Sequence, residues 1–508
     1  MTKTKHSNRQ YKKLFVLLAV VLLPMAASAN HPFLTPQAPL ITLDAGVPAG
    51  STMTAIISSG EMYHDFLFEG LPDGIGLAPG PVSGTVDVYV THEQTHVPFF
   101  GTADFQDASV SRLTLDTATG AVLSADVAIP PEAGYLRFCS AFMAGPAEGF
   151  SRFTFFANEE ANDVVPVPAG APYGADPALA PDRQAGYTVA LDVASGSFTQ
   201  IEGMGRLNHE NTVAIPGGWS RFAMLTTDDT FSGPSAQLYL YLASQESHIM
   251  QDKGSLWAFR ATRTDDGPVD PTDPFNGAND YLDLLPGDSW RGEFIRVPKQ
   301  IAKGQSGGAP QDALEQWSND NNVFQFIRLE DLAYDKNDPR TVYIADTGRS
   351  RVIPDPASGR MKRGPGGTVG LADNGRIFKM VFNQANPRKV DSFSVFADAD
   401  APGAPEFVAM RSPDNIDTSA NSLMVQEDTG NAKIWRYDFG TATWSVVATV
   451  NDPAGESSGI VDGSAWFGPG SWVLDVQGHG IFVAQQQVGP TLLKRESGQL
   501  LLMILPGS

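Results

Sequence analysis

Residues 111–127 read SRLTLDTATGAVLSADV, in which apolar and polar residues alternate on both sides of a turn that contains Gly120. This pattern predicts two antiparallel strands joined by a short turn. Residues 187–201, YTVALDVASGSFTQI, repeat the same design. Similar strand-like segments recur along the chain, whereas amphipathic stretches of about 12 residues or more are nearly absent. The sequence therefore predicts an all-β protein, which is a sandwich, a barrel or a propeller.

Composition narrows the possible functions. The chain has 508 residues, 57 acidic against 35 basic side chains, a formal net charge of -22 and a single cysteine. Its 42% hydrophobic content can supply a core, and its length is compatible with one large all-β domain. The acidic balance argues against a nucleic-acid partner, because a protein that binds the phosphate backbone needs a basic face. One cysteine excludes an internal disulfide, and no cysteine–histidine cluster has zinc-binding spacing.

The first 29 residues have the features of a secretory signal peptide. Five cations precede the apolar run LFVLLAVVLL at residues 14–23, and Ala27-Ser28-Ala29 supplies the small residues that cleavage requires. The apolar run is too short to span a bilayer core of about 30 Å, so we expect no membrane anchor. We therefore predict a periplasmic or secreted protein whose mature chain begins near Asn30.

Acidic residues recur at the ends of hydrophobic strands in five segments. VYVTHEQT, FTFFANEEAN, GRLNHENTV, FIRLEDLAY and LMVQEDTGN contain Glu93, Glu159, Glu160, Glu210, Glu330, Asp331, Glu427 and Asp428. In a propeller, the innermost strand of each blade lines one channel and delivers its end residue there. The intervals between segments exceed the ~40–50 residues of a simple blade, so a single propeller domain over residues 30–508 needs inserted loops, one of them near residues 264–318. The alternative is that each acid marks a solvated strand end.

Carboxylates that converge on one channel require cations. Two carboxylates about 5 Å apart repel by roughly 3 kcal/mol at an effective dielectric constant near 20. Oxygen ligands favour calcium, and iron or manganese is compatible where a histidine or a cysteine joins the set. His92 and His209 precede Glu93 and Glu210, and packing or support of the loop is favoured for both over direct ligation. Cys139 is interpreted as a buried apolar residue, with metal ligation as the alternative.

At these residues the chain resembles the PhoX family of secreted alkaline phosphatases, with matches scattered over residues 87–479. GRLNHEN resembles the family's GR-aromatic-x-HE segment, which places Glu210 at a metal-ligand position. VTHEQT resembles its NHE segment and adds Glu93. FIRLEDLAY resembles its R-x-E strand, so that Arg328 falls on the phosphate-contacting arginine and Glu330 on a ligand glutamate.

Two further segments extend the resemblance with local differences. SPDNID resembles the family's PD segment and places Asp414 in the metal set, with Asn415 where a tryptophan is found. FTFFANEE is similar to a Cys-Glu-Glu strand end, which adds Glu159 and Glu160, with Asn158 in place of the cysteine.

The resemblance implies a six-bladed β-propeller with iron and calcium ions at one end of its channel, which hydrolyses phosphate monoesters. The metal set is then Glu93, Glu159, Glu160, Glu210, Glu330 and Asp414, and Arg328 binds the phosphoryl oxygens. Further candidates, as ligands or as supports of ligands, are Cys139, His92, His209, Asp331 and Glu427. The expected substrate is a small phosphate ester, and the expected state is a monomer.

Alternatives to this interpretation remain open at the level of sequence. The first is a non-catalytic extracytoplasmic propeller in which calcium holds the blades together, and the second is a related propeller that hydrolyses another ester. Arg328 has a structural alternative, an ion pair with Glu330 or Asp331. Residues 455–467, which contain Glu456, are interpreted as a loop, and the alternative is that they belong to the site. For Asp228-Asp229, a role in a turn and a role as metal ligands are equally favoured.

Overall fold

The structure is a computed structural model that describes residues 31–95, 107–230, 233–262, 280–451, 455–483, 486–488, 491–493 and 495–507. By its contacts the chain divides into Met1–His31 and Pro32–Ser508, and nearly all of the first unit lies outside the described residues. The signal-peptide prediction and the first part of the expected insertion, residues 264–279, also fall outside them. Within the described part, no helix is both long and apolar enough to cross a bilayer.

The first half of the described chain forms three four-stranded antiparallel blades after a short N-terminal segment. The N-terminal strands are β1 (Ile41–Leu43), β2 (Thr52–Ser58), β3 (Met62–Tyr63) and β4 (Phe66–Leu67). Blade 1 contains β5 (Pro72–Pro79), β6 (Thr85–His92), β7 (Ser109–Asp116) and β8 (Val122–Ile129). Blade 2 contains β9 (Phe138–Ala144), β10 (Thr154–Glu159), an inserted pair β11 (Val164–Pro166) and β12 (Asp182–Gln184), and then β13 (Thr188–Asp192) and β14 (Ser197–Gln200). Blade 3 contains β15 (His209–Ala214), β16 (Phe222–Asp228), β17 (Leu238–Ala243), α1 (Glu246–Met250) and β18 (Ser255–Thr262).

The second half forms three more blades. Its first elements are β19 (Trp290–Arg296), α2 (Lys299–Ala302) and α3 (Pro310–Asp320). Blade 4 contains β20 (Leu329–Tyr334), β21 (Thr341–Asp346), an inserted pair β22 (Val352–Asp355) and β23 (Arg360–Arg363), and then β24 (Arg376–Phe382) and β25 (Lys389–Asp398). Blade 5 contains β26 (Pro413–Thr418), β27 (Ser422–Glu427), β28 (Lys433–Asp438) and β29 (Thr443–Val450). Blade 6 contains β30 (Gly455–Asp462), α4 (Ser464–Phe467), β31 (Ser471–Phe482), an inserted pair β32 (Gln486–Val488) and β33 (Thr491–Leu493), and β34 (Glu496–Ile504).

The six blades close into a ring, which confirms the predicted six-bladed propeller. Each innermost strand contacts the next in the order β5, β9, β15, β20, β26, β30, and β30 contacts β5 again. β2 pairs with β34 as the outermost strand of blade 6, so the N-terminal segment completes a blade built by the C-terminus. β19 pairs with both β18 and β25 and thereby joins blades 3 and 4 into one nine-stranded sheet.

Apolar side chains between neighbouring blades hold the ring together. Between blades 6 and 1, for example, Ile75 and Val90 pack with Val473 and Leu500, and all four are almost fully buried. Each such side chain contributes about 1.5–3 kcal/mol relative to an exposed position.

Five innermost strands share a bulge near their first residue. In β5, β9, β15, β20 and β26, two consecutive residues lie opposite a single residue of the second strand. These pairs are Asp73-Gly74, Cys139-Ser140, Glu210-Asn211, Glu330-Asp331 and Asp414-Asn415. A bulge bends its strand and re-aims the side chains there. Strict alternation of facing is therefore interrupted where the acidic residues lie.

Candidate active site

In each of these five blades, the same backbone hydrogen bond fixes the end of the second strand next to the bulge of the innermost strand. Directly after that strand, one backbone N–H donates to a carbonyl oxygen two residues before the bulge, over 2.9–3.0 Å. The donors are Glu93, Glu160, Asp229, Thr347 and Asp428, which we call the strand-end positions. The acceptors, in the same order, are Leu71, Arg137, Asn208, Arg328 and Ser412. Five blades thus present an acceptor residue, a bulge residue and a strand-end residue around one mouth.

The residue just before the strand-end position anchors the loop instead. The carboxylates of Glu159, Asp346 and Glu427 accept the backbone N–H of Leu136, Ile327 and Arg411, respectively, at 2.8–2.9 Å. Each of these N–H groups lies one residue before the acceptor of the repeated hydrogen bond. In these three blades, two consecutive polar residues therefore have different tasks: the first fixes the loop and the second faces the mouth.

Seven residues form what we call the axial cluster, and three groups of them could each hold one metal ion. The groups are Asp73, Glu93 and Cys139; Cys139, Glu160 and Glu210; and Glu210, Glu330 and Asp414. Within each group the potential ligand atoms all lie within 4.8 Å of one another. Cys139 and Glu210 each belong to two groups, so the three groups are continuous.

The donor atoms of the axial cluster fit metal ions. Asp73 Oδ1 and Glu210 Oε2 are buried and have no hydrogen-bond partner among the described residues. A buried carboxylate oxygen without a partner is costly, and a bound cation removes that cost. Carboxylate oxygens suit calcium, and the Cys139 sulfur, 3.3 Å from both Asp73 Oδ2 and Glu210 Oε1, adds a donor that suits a transition metal.

Crowding of the carboxyl groups shifts their protonation in the metal-free protein. Burial, and next the charge of Glu210, raise the pKa of Glu160 well above its usual range. Burial, and next Glu93, raise the pKa of Asp73 to about 7. Burial and the charge of Asp73 also raise the pKa of the Cys139 thiol. A cation among these groups would favour the ionised forms.

Of the residues expected at the site, the structure brings Glu93, Glu160, Glu210, Glu330, Asp414 and Cys139 together. Glu159, which was expected in the metal set, does not join them. Its carboxylate forms a fully buried ion pair with Arg183, at 2.7 Å, and also accepts the N–H groups of Gly186 and Tyr187. Both oxygens are therefore used inside blade 2.

Neither candidate histidine points a free ring nitrogen at the cluster. The ring nitrogens of His92 lie 3.1 Å from the Gly70 oxygen and 2.7 Å from Ser111 Oγ. Those of His209 lie 3.1 Å from the Gly205 oxygen and 2.9 Å from Thr226 Oγ1. Burial lowers the pKa of both to about 4, so they are neutral and hold neighbouring loops and strands.

Asp331 and Glu427 also lie outside the axial cluster. Asp331 is the second residue of its bulge, and its carboxylate accepts Asn211 Nδ2 at 2.5 Å and the Ile416 N–H at 3.1 Å. Glu427 accepts the Arg411 N–H and, at 2.8 Å, the Trp435 indole N–H.

The two asparagines that differ from the family pattern lie within polar networks of the inner strands. Asn415 Nδ2 donates to Ser140 Oγ at 2.7 Å, and Ser140 Oγ in turn donates to Glu210 at 2.5 Å. Asn158 Nδ2 donates to the Ser140 carbonyl oxygen at 3.0 Å, and its Oδ1 accepts Thr212 Oγ1. Both residues thus support the bulge that carries Cys139.

Arg328 lies at the mouth, and its main partner is Asp229, for which the sequence offered a turn or a metal-ligand role but no ion pair. Its Nε and Nη2 donate to the two carboxylate oxygens of Asp229, at 2.9 and 2.5 Å. Glu330 Oε1 is 3.3 Å from Nη2, and Asp428 Oδ2 is 3.9 Å from Nη1. The expected ion pair with Glu330 is present, but it is longer than the pair with Asp229. Asp331 is not a partner of Arg328, because its carboxylate accepts hydrogen bonds from Asn211 and Ile416 instead.

Three acidic residues in or next to the axial cluster were not predicted as site residues from the sequence. Asp73 lies in the sequence Leu-Pro-Asp-Gly, which resembles a turn, although the same Pro-Asp step precedes the bulge at Asp414. For Asp229, the sequence favoured a role in a turn and a role as a metal ligand equally. Glu456 lies in β30 rather than in the loop expected there, and burial, with the charge of Asp428 next, raises its pKa well above the usual range.

The fold and the site define a six-bladed propeller with a candidate metal-binding cluster at one end of its channel. The profile of the family Alkaline phosphatase PhoX matches residues 157–457, more than half of the chain. The chain therefore belongs to the PhoX alkaline phosphatase family and is a phosphomonoesterase of that family.

One solved structure agrees with this chain in its fold. The structure of Pseudomonas fluorescens PhoX in complex with vanadate, a transition state analogue, matches with a TM-score of 0.60 and 14% sequence identity, over 92% of this chain and 96% of that chain. A GH93 α-L-arabinofuranosidase of Fusarium graminearum in complex with arabinobiose matches with a TM-score of 0.38 and 9% identity, over 85% of this chain and 92% of that one. A search of curated proteins finds no match.

Proposed function

We propose that this phosphatase hydrolyses small phosphate monoesters at the axial cluster, which holds calcium and iron. The observation that carries the proposal is the continuous set of three ligand groups next to the Arg328 guanidinium. The groups that contain Cys139 are assigned to iron, because a thiolate suits a transition metal. The all-oxygen group of Glu210, Glu330 and Asp414 is assigned to calcium.

The residues of the chain have separable roles in this reaction. Ions held by the axial cluster would supply positive charge that attracts and polarises the substrate phosphate in an otherwise acidic protein. Arg328 binds phosphoryl oxygens, and Asp229 orients it by accepting Nε and Nη2 together. Ser140 and Asn415 hold the shared ligand Glu210 through consecutive hydrogen bonds. The other carboxylates of the axial cluster complete the proposed metal-ligand set.

We further propose that the protein works outside the cytoplasm as a monomer without a membrane anchor. The basic residues, apolar run and small residues of the first 29 positions support cleavage of a signal peptide near Asn30. The mature chain would then be one propeller domain with its insertion between blades 3 and 4. N-terminal sequencing of the exported protein tests the cleavage site, and light scattering tests the monomer.

Turnover of p-nitrophenyl phosphate by the purified mature protein tests the main proposal. We expect hydrolysis with calcium and iron together, and little with either metal alone. Arg328→Ala should weaken phosphate binding while the metal content, measured by elemental analysis, stays at the wild-type level. Absence of turnover in protein shown to contain both metals would overturn the proposal. Calcium without iron, a melting temperature that collapses in chelator and no turnover would select the non-catalytic propeller instead.

A further inference from the structure

Blade 4 differs from the other blades at the mouth. The strand-end position is a carboxylate in Glu93, Glu160, Asp229 and Asp428, but it is Thr347 in blade 4. Thr347 is only 1% exposed, and its Oγ1 has no hydrogen-bond partner in the described part of the chain. Blade 4 therefore offers a neutral hydroxyl where the neighbouring blades offer negative charge.

A second arginine lies two residues further along the same loop. Arg349 Nε is buried without a hydrogen-bond partner among the described residues, although the residue as a whole is only half-buried. Its backbone is fixed, since its N–H donates to the Ala372 oxygen at 2.9 Å and the Gly348 N–H donates to Asp346 at 3.0 Å. Burial, and next the charges of Arg328 and Arg363, lower the pKa of Arg349.

Arg328 and Arg349 differ in their acidic partners. Arg328 is matched by the bidentate pair with Asp229. Among the described side chains, no carboxylate lies within 4.0 Å of the Arg349 guanidinium, although the charges of Asp229 and Asp428 act on it. An anion that approaches the mouth meets strand-end carboxylates on blades 1, 2, 3 and 5, whereas Thr347 Oγ1 and Arg349 Nε of blade 4 have no hydrogen-bond partner among the described residues.

We propose that the Thr347 hydroxyl and the Arg349 guanidinium bind the phosphate group of the substrate beside Arg328. Blade 4 is then the anion-binding side of the active site. A phosphate monoester offers three terminal oxygens, which a hydroxyl and two guanidinium groups can bind at the same time. This inference rests on the proposed function, which supplies the phosphate ester.

The test compares Arg349→Gln and Thr347→Val with Arg351→Gln, a matched control that removes the same charge two residues away in the same loop. The measurements are KM and kcat for p-nitrophenyl phosphate and the inhibition constant of inorganic phosphate. We expect KM and the inhibition constant to rise roughly 10- to 100-fold in Arg349→Gln, and less in Thr347→Val, because a hydrogen bond to a charged group is lost. Arg351→Gln should stay close to the wild type.

Metal content and melting temperature separate binding from support of the fold. We expect both to match the wild type in all three variants. Unchanged KM and phosphate inhibition in Arg349→Gln and Thr347→Val would overturn the inference, and so would effects explained by lost metal. If the wild type itself shows no turnover, the proposed function fails, and the same ratio of phosphate affinities, measured by calorimetry on the metal-loaded proteins, still decides the inference.

Discussion

Glu159 and Glu160 are neighbours in sequence but differ in what surrounds them. Glu159 is paired with Arg183 and with backbone N–H groups, whereas Glu160 faces Cys139 and Glu210. The same division separates Glu427 from Asp428. At residue scale, an acidic side chain belongs to the candidate site only when the backbone around it leaves its oxygens without other donors.

Substitution of these neighbours should give opposite results. Glu160→Gln should lower the metal content and leave stability in chelator unchanged or higher, because it removes one of several crowded carboxyl groups. Glu159→Gln should cost about 3–5 kcal/mol of unfolding free energy even in chelator, because it leaves Arg183 buried without its partner. Elemental analysis and urea unfolding of both variants check this. Wild-type metal content in Glu160→Gln would contradict the assignment.

At the scale of the elements, the site depends on how closely the inner strands approach one another. Gly74, in the bulge of β5, lies against β9, and a Cβ atom there would be 2.2 Å from the Ala141 nitrogen. Gly459 of β30 lies as closely against the Asp73 carbonyl oxygen. These contacts allow Asp73 to approach Cys139 although the two residues come from different blades.

Gly74→Ala should therefore disturb the cluster without touching a ligand. The added methyl group would push β5 away from β9, so we expect a lower melting temperature and loss of metal from the group that contains Asp73 and Cys139. Gly174→Ala is the control, because a Cβ atom there meets nothing within 4 Å. Thermal melting and elemental analysis measure both effects, and a Gly74→Ala protein that behaves like the control would contradict the account.

The sequence predicted the class of fold and most of the strand ends that carry acids. Alternating apolar residues such as those at 111–127 identify strands directly. It did not predict which of two consecutive acids faces the mouth, because the bulges interrupt the two-residue period on which that choice depends. Asp73 was missed for a related reason: Pro-Asp-Gly is common in turns, and only its position as the first residue of a bulge distinguishes it.

At the scale of the whole molecule, a chain of net charge -22 concentrates several carboxyl groups at one end of its channel. Their mutual repulsion opposes folding unless protons or cations neutralise them. Apolar packing between blades supplies a rigid ring that can tolerate this local cost. Stability should consequently depend on both pH and metal.

The metal-free protein should lose stability as the pH rises from about 4 to 7. Burial raises the pKa of Asp73 and Asp331 from 3.8 to about 7, so their folded forms hold protons that the unfolded chain has released. Their contribution is complete below pH 3.8 and is lost as the pH passes about 7. With calcium and iron bound, the cations favour ionised carboxylates, so the trend should weaken or reverse. Melting curves with and without chelator measure this, and parallel pH profiles would contradict it.

Anomalous diffraction from crystals of the mature protein, loaded with calcium and iron, tests the central claim most directly. We predict iron peaks in the two ligand groups that contain Cys139 and a calcium peak among Glu210, Glu330 and Asp414, about 2.0–2.6 Å from the carboxylate oxygens. Metal-replete crystals with no peak inside the axial cluster, or with its carboxylates turned away from one another, would contradict the account.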